Sequence, residues 1–159
     1  MLVEQTSLDR THEVLNQPPP LENYNAFEQD AGLVAALRRE GADWAEPRVS
    51  EFGALTGSER VIALGHQANK YPPVLKTHDR FGHRIDEVEF HPAWHELMRI
   101  GVEAGVPSLP WTENRAGAHV ARAALSYLLY QVESGVGCPL TMTFAGVASL
   151  RKQPDVAEE

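Results

Sequence analysis

The segment from Glu113 to Ser134 constrains the fold of this chain more than any other. Val120, Ala121, Ala124, Leu125, Leu128, Leu129 and Val132 recur at helical spacing and make a wide apolar band. Each Leu or Val fully buried there contributes about 1.5–3 kcal/mol. A helix over this segment therefore anchors the core, and other helices must gather on it. Gly135 and Gly137 break the pattern, and Pro139 starts the last helix.

The surrounding segments supply those helices. One is expected from Ala26 to Glu40, with Asn25 as its cap and Glu28 completing a capping box. Its stripe is Phe27, Ala31, Val34 and Leu37, and Gly41 ends it. A short helix follows around Pro47 to Phe52. Another begins after Thr56, where Thr56-Gly57-Ser58-Glu59 repeats the capping pattern. Val61, Leu64, Ala68 and Tyr71 form its inner face until Pro72-Pro73 stops it. Val74 to His78 and Arg84 to Phe90 are strand-like around a turn at Gly82. Ile85, Val88 and Phe90 do not alternate strictly, which predicts a bulge or a short pairing. From Pro92 the pattern is helical again, with Trp94, Leu97, Met98 and Val102 on one side, ending near Gly105. The fold class is mainly α: a helical bundle over 25–152 with one small β-hairpin at about 74–90. Residues 1–24, with Pro18-Pro19-Pro20, form an extended arm that either lies across another surface or stays loosely ordered. Residues 153–159 are expected to be a polar tail or a truncation point.

At 159 residues the chain matches one domain that buries about 70% of its unfolded surface. Its net charge of −8 argues against nucleic-acid binding, which depends on Lys and Arg neutralising phosphates. Arg38-Arg39 is too small to be a basic patch. The single cysteine, Cys138, excludes an internal disulfide framework and fits a reducing cytosol. Met1 to Arg10 has no apolar core and does not read as a secretory signal, and no apolar run approaches the ~20 residues of a membrane span. The chain is expected to be cytoplasmic.

The chemistry-bearing residues form no recognised catalytic set. His91 and His95 share a helix face, but the H-E-x-x-H pattern and a third ligand are absent. His91 is expected to cap the helix that Pro92 opens, and no metal is expected. Cys138 has His119 upstream but no glycine elbow or third partner. Gly101 to Gly105 ends a helix rather than joining a strand to one, so it is no phosphate cradle. Trp44, Trp94 and Trp111 in an acidic chain read as packing residues rather than base-stacking ones. No catalytic residue is assigned.

Four runs, taken in order and with their spacing, point to a family. They are Val14-Leu15-Asn16-Gln17-Pro18-Pro19-Pro20-Leu21, Phe90-His91-Pro92-Ala93-Trp94-His95-Glu96-Leu97-Met98, Ala118-His119-Val120-Ala121-Arg122-Ala123-Ala124, and Gln131-Val132-Glu133-Ser134-Gly135 leading into Cys138-Pro139-Leu140-Thr141-Met142-Thr143-Phe144-Ala145. From about Thr11 onward the chain resembles the amino-terminal region of the AidB-type proteins, the alkylation-response branch of the acyl-CoA dehydrogenases. The N-Q-P-P-P arm and the F-H-P-A-W-H run separate that branch from ordinary acyl-CoA dehydrogenases.

The resemblance implies a flavoprotein family with a helical first region, a β-sandwich middle domain and a helical C-terminal region, assembled as a homotetramer. In that family FAD is held mainly by the middle and C-terminal parts. The catalytic glutamate and the basic DNA-binding extension are also C-terminal. No M-T-E-x-x-G-G-S-D-like flavin motif occurs before Glu159. The resemblance thus implies the first module of an FAD-dependent oxidoreductase, inactive alone and lacking its flavin-binding and C-terminal partners. By the same resemblance, the 138–145 run borders the acyl/flavin cavity, with Thr141 and Thr143 as lining hydroxyls. A non-enzymatic self-association module on the same scaffold is the alternative expectation.

Overall fold

A computed structural model describes residues 12–157. The chain is mainly helical with one small two-stranded antiparallel sheet. Its centre is α6, Ala118–Val132, on which Ala121, Ala124, Leu125, Leu128 and Leu129 are all buried. Four helices are arranged against it: α1 (Ala31–Arg39), α2 (Glu46–Thr56), α3 (Glu59–Lys70) and the single turn α5 (Leu109–Thr112). Next, α4 (Pro92–Glu103) lies along α3, and α7 (Gly137–Leu150) closes against α4 and α6. A last short turn, α8, spans Pro154–Ala157.

Several boundaries differ from the sequence expectation for identifiable reasons. The central helix starts at Ala118 rather than Glu113, because Gly117 adopts φ +78° and interrupts the chain after α5. A Cβ at Gly117 would sit 2.2 Å from the Gly41 carbonyl oxygen, so this position needs glycine for close approach as well as for φ. The first helix starts at Ala31 rather than Ala26. Asp30 caps it, accepting from the Leu33 N–H at 2.9 Å. Asn25 instead caps a preceding turn through the N–H groups of Phe27 and Glu28 at 3.0 and 3.1 Å. Glu28 does not reach back to that cap; its carboxylate accepts from the Ser50 hydroxyl at 2.6 Å.

The second helix extends to Thr56, further than Phe52. The cap of α3 is Ser58, which accepts from the Val61 N–H, while Thr56 donates to the Phe52 carbonyl within α2. Tyr71 lies outside the buried face of α3, at 48% exposure. On α4 the inward residues are Ala93, Leu97, Ile100 and Gly101, and Val102 is 52% exposed. Its N-cap is His91, whose Nδ1 accepts from the Ala93 N–H at 3.2 Å, as the sequence suggested.

The hairpin pairs β1 (Val74–His78) with β2 (Arg84–Glu89). Val74 faces Glu89, Leu75 faces Val88 and Lys76 faces Glu87. The register then shifts before His78 meets Arg84. Asp86, at φ +46°, sits in the irregular stretch that the broken alternation predicted. The turn is held by Asp79, whose Oδ1 accepts from the Phe81 and His83 N–H groups at 2.8 and 2.9 Å. Every residue of both strands is exposed, so the hairpin stands away from the bundle. Two stacked pairs mark its foot: Tyr71 on His91 and Phe90 on Trp94, at 4.9 and 4.1 Å between ring centres.

Helix α3 approaches α6 closely at Gly65. A Cβ there would lie 2.4 Å from the Val132 carbonyl oxygen, which is backbone and cannot step aside. Gly65→Ala is therefore expected to destabilise the fold by about 1–3 kcal/mol, read as a lower urea midpoint. A second expectation concerns Glu96. Arg99, and next Arg60, hold its carboxyl down at about 2. A carboxyl depressed in the folded state stabilises above its ordinary value of 4.5 and loses that contribution as pH falls toward 2. The stability difference between the parent chain and Glu96→Gln should accordingly shrink between pH 5 and pH 3 in denaturant titrations.

Candidate functional site

The most distinctive arrangement of polar and aromatic groups lies where α7 packs along α6. The ring of Tyr130 lies against Gly137, where a Cβ would come within 2.8 Å of it. From there its hydroxyl donates to the Gly137 carbonyl at 3.1 Å and lies 2.7 Å from the Thr141 hydroxyl. Arg122 comes from the same helix, slightly over two turns earlier. Its Nη2 donates to Thr141 Oγ1 at 3.3 Å and its Nε to the Val106 carbonyl at 2.9 Å. Its guanidinium lies 4.0 Å from the centre of the Phe144 ring.

An aromatic stack continues outward from this point. Phe144 stacks on Trp111 at 5.1 Å, and the Trp111 indole N–H donates to the Phe144 carbonyl at 3.0 Å. His119 meets both rings edge-on at 5.7 and 5.8 Å. The Arg151 guanidinium lies 5.5 Å from the Trp111 ring centre. Burial pushes Arg122 below the usual arginine range, while Tyr130 pulls it the other way. Burial alone does not discharge a guanidinium, so the group is a cation held in a fixed orientation.

The two threonines singled out from sequence lie on this helix but behave differently. Thr141 is exposed and joins Arg122 and Tyr130. Thr143 is exposed and donates back to the Pro139 carbonyl at 2.9 Å, which ties its proton to its own helix. Cys138 is exposed. Glu133 is buried, accepts from the N–H groups of Gly135 and Val136 at 2.8 and 2.9 Å, and orders the α6–α7 turn. His95 packs edge-on against Trp94, away from this site. Among the described residues no group of three or more His, Cys, Asp or Glu converges as metal ligands would. Trp44 serves packing and anchoring: its indole N–H donates to the Ala116 carbonyl and Arg115 lies over its ring.

Arg122, Tyr130, Trp111 and Phe144 were not singled out as a site from the sequence. Their only local signal was a charged Arg122 set among the buried apolar residues of α6. Trp111 and Phe144 are 33 positions apart and meet only through the fold.

Two of the open clefts on the bundle bear on the site. One, of about 510 Å³, lies between α2 and α4 and is lined by Arg48, Arg60, Arg99, Glu51 and Glu103 among others. Its arginines are paired: Arg48 with Glu113, Arg60 with Glu96, and Arg99 with Glu96 and Glu103. The other, of about 500 Å³, runs from Pro72, Pro73, Phe90 and Trp94 to Pro139 at the start of α7. On the outer face of α7, Met142 is 69% exposed and Leu150 is also exposed. Among the described residues no helix is long and apolar enough to cross a membrane.

The hydroxyl geometry carries its own expectation. Tyr130→Phe leaves Thr141 without its short partner and should cost roughly 1 kcal/mol in unfolding experiments. Thr143→Val removes only a bond within one helix turn and should change stability by less than about 0.5 kcal/mol.

Comparison with known proteins shows the family of the chain. The chain is 46% identical over 142 residues to the AidB protein of Escherichia coli, covering 89% of this chain and 26% of that one. It is 33% identical over 134 residues to acyl-CoA dehydrogenase family member 11 of Caenorhabditis elegans, covering 80% of this chain and 21% of the relative. The chain therefore spans about a quarter of the length of the curated relatives it matches. Among solved structures it superposes on Caenorhabditis elegans ACDH-11, solved in complex with C11-CoA, with a TM-score of 0.75 and 26% identity. That match covers 95% of this chain and 27% of the other. The apo-form of Bd2924, 23% identical with a TM-score of 0.73 over 84% of this chain and 27% of its own, shares the fold. The family model of the adaptive response protein AidB N-terminal domain matches residues 16–159, and the chain belongs to that family.

Proposed function

We propose that this chain acts as the helical first module of an AidB-type, FAD-dependent acyl-CoA dehydrogenase-like protein. In this reading α7 forms one wall of an acyl/flavin cavity that other domains close. The observation that carries it is the outer face of α7, where apolar Met142 stands exposed next to Thr141 and Leu150 stands exposed at the far end of the helix. A soluble domain that exposes apolar side chains along one helix gains by covering them. The quarter-length match to its relatives supports a larger protein that provides the cover.

This chain's residues fit one side of such a cavity. Thr141 offers a hydroxyl at an exposed position, and the neighbouring cleft is open rather than enclosed. Thr143 offers an oxygen lone pair, since its proton is held by Pro139. When bound in such a protein, the flavin supplies the acceptor for the hydride that leaves the acyl chain. The contribution of this chain is to border the site and keep water from that side. The catalytic base belongs to a segment outside these 159 residues, so the module has no turnover of its own. Homotetrameric assembly, a cytoplasmic setting and a role in the response to DNA alkylation belong to the same proposal, with DNA contacts lying in other domains.

A second reading, a self-association module without catalysis, is favoured by the hairpin. Val74, Leu75, Ile85 and Val88 are all exposed on it.

The purified chain is expected to show no flavin absorbance and no activity with an acyl-CoA and an artificial electron acceptor. It should bind a dye for exposed apolar surface and scatter light as an ill-defined mixture. Stoichiometric bound FAD with turnover would overturn the first reading, and one defined oligomer would favour the second.

A further inference from the structure

Charge is unevenly distributed in this acidic chain, and the α6–α7 face is where the balance reverses. Between Ala116 and Lys152 the charged side chains are Arg122, Glu133, Arg151 and Lys152. The one carboxylate, Glu133, lies eleven residues beyond Arg122 on α6, about 16 Å along the helix. It is buried and committed to the Gly135 and Val136 N–H groups. Elsewhere, Arg38, Arg48, Arg60 and Arg99 each hold a glutamate. Arg122 is paired with no carboxylate among the described residues; its contacts are a carbonyl, a hydroxyl and an aromatic face.

A half-buried cation without a counter-ion is costly unless something brings one. The guanidinium is also immobilised in advance. Nε is tied to Val106, Nη2 to Thr141, and its plane lies on Phe144, while Nη1 has no hydrogen bond to any described residue. Ordering this long side chain therefore costs little at the moment of binding.

We infer that Arg122, Thr141 and Tyr130 form an anion subsite that takes a phosphate group, either free or carried on a phosphate ester. Two features favour phosphate over a carboxylate. The Nε/Nη2 edge, which a planar carboxylate grips in parallel, is already engaged by the protein. The donors that remain point from different groups, as a tetrahedral set of oxygens requires. Tyr130 has a single proton and two acceptors, the Gly137 carbonyl and Thr141. Without an anion that proton is on Gly137 and Thr141 donates to Tyr130; when an anion binds, the Tyr130 proton turns to Thr141, and the Thr141 hydroxyl is released to donate outward beside Nη1. Arg151 and Lys152 on the same helix end add positive potential, which attracts an anion at low salt. This inference stands on the side-chain geometry and does not require the flavoprotein reading.

The test uses the whole 159-residue chain, labelled with nitrogen-15, and follows the Arg122 Nε–H signal and the α7 amides. Inorganic phosphate, ADP and acetate are titrated separately at matched ionic strength. Phosphate is expected to shift these signals saturably, and Arg122→Gln to weaken that response by about tenfold or more. Arg122→Lys keeps the charge and should recover part of it. Thr141→Val, which removes the Nη2 tether but keeps Nε on Val106 and the guanidinium on Phe144, should weaken it several-fold and serves if Arg122→Gln does not fold. Tighter binding of ADP than of phosphate assigns the site to a phosphate ester, and equal binding assigns it to the free ion; both support the subsite. Acetate acting at the same concentration as phosphate would overturn it. So would a phosphate response that survives in both Arg122→Gln and Thr141→Val.

Discussion

Burial of α6 is the constraint on which the rest of the structure depends. Ala121, Leu125, Leu128 and Leu129 have no exposed surface, and together they form one stripe that must be covered along the length of the helix. That requirement places α1, α2, α3 and α5 around one axis. Small residues set how close they come. Gly65 lets α3 reach the Val132 backbone, and Gly117 lets the start of α6 meet the backbone at Gly41. Stability here comes from tertiary packing of apolar faces more than from helix propensity, as is usual for helices of this length.

Two parts of the molecule lie at the margin of that packing. The hairpin is held by its own ladder, by Asp79 in the turn and by two aromatic pairs at its foot. A two-stranded hairpin is marginal in isolation, so its attachment at Tyr71, Phe90, His91 and Trp94 matters to its persistence. Helix α7 is fastened on its inner side by Leu140 and by the Trp111 and Arg122 hydrogen bonds, while its outer side stays apolar and open. The paired arginines of the α2–α4 cleft contrast with the carboxylate-free surroundings of Arg122. The former neutralise themselves within the bundle, and the latter faces the surface where other groups can approach.

Much of this was legible in the residues. The spacing from Val120 to Val132 identified the core helix, Pro72-Pro73 and Gly82 bounded the hairpin, and His91 before Pro92 marked a cap. Errors arose where two side chains competed for one role. Asn25 and Asp30 both suit a helix cap, and Asn25 is drawn to Ser50, 25 positions away. Thr56 and Ser58 present the same ambiguity, resolved when Thr56 is buried inside α2.

The sequence by itself determined the helical class, the position of the hairpin, the acidic balance and the family. These depend on local periodicity, on turn chemistry and on short runs of residues that stay together along the chain. Only the tertiary structure decided that Trp111, Arg122, Tyr130, Thr141 and Phe144 share one site. It also decided that Thr141 belongs to a network while Thr143 serves its own helix. Contacts between distant segments depend on how helices cross, and crossing geometry follows from side-chain volume at a few positions. No periodicity along a single segment encodes that.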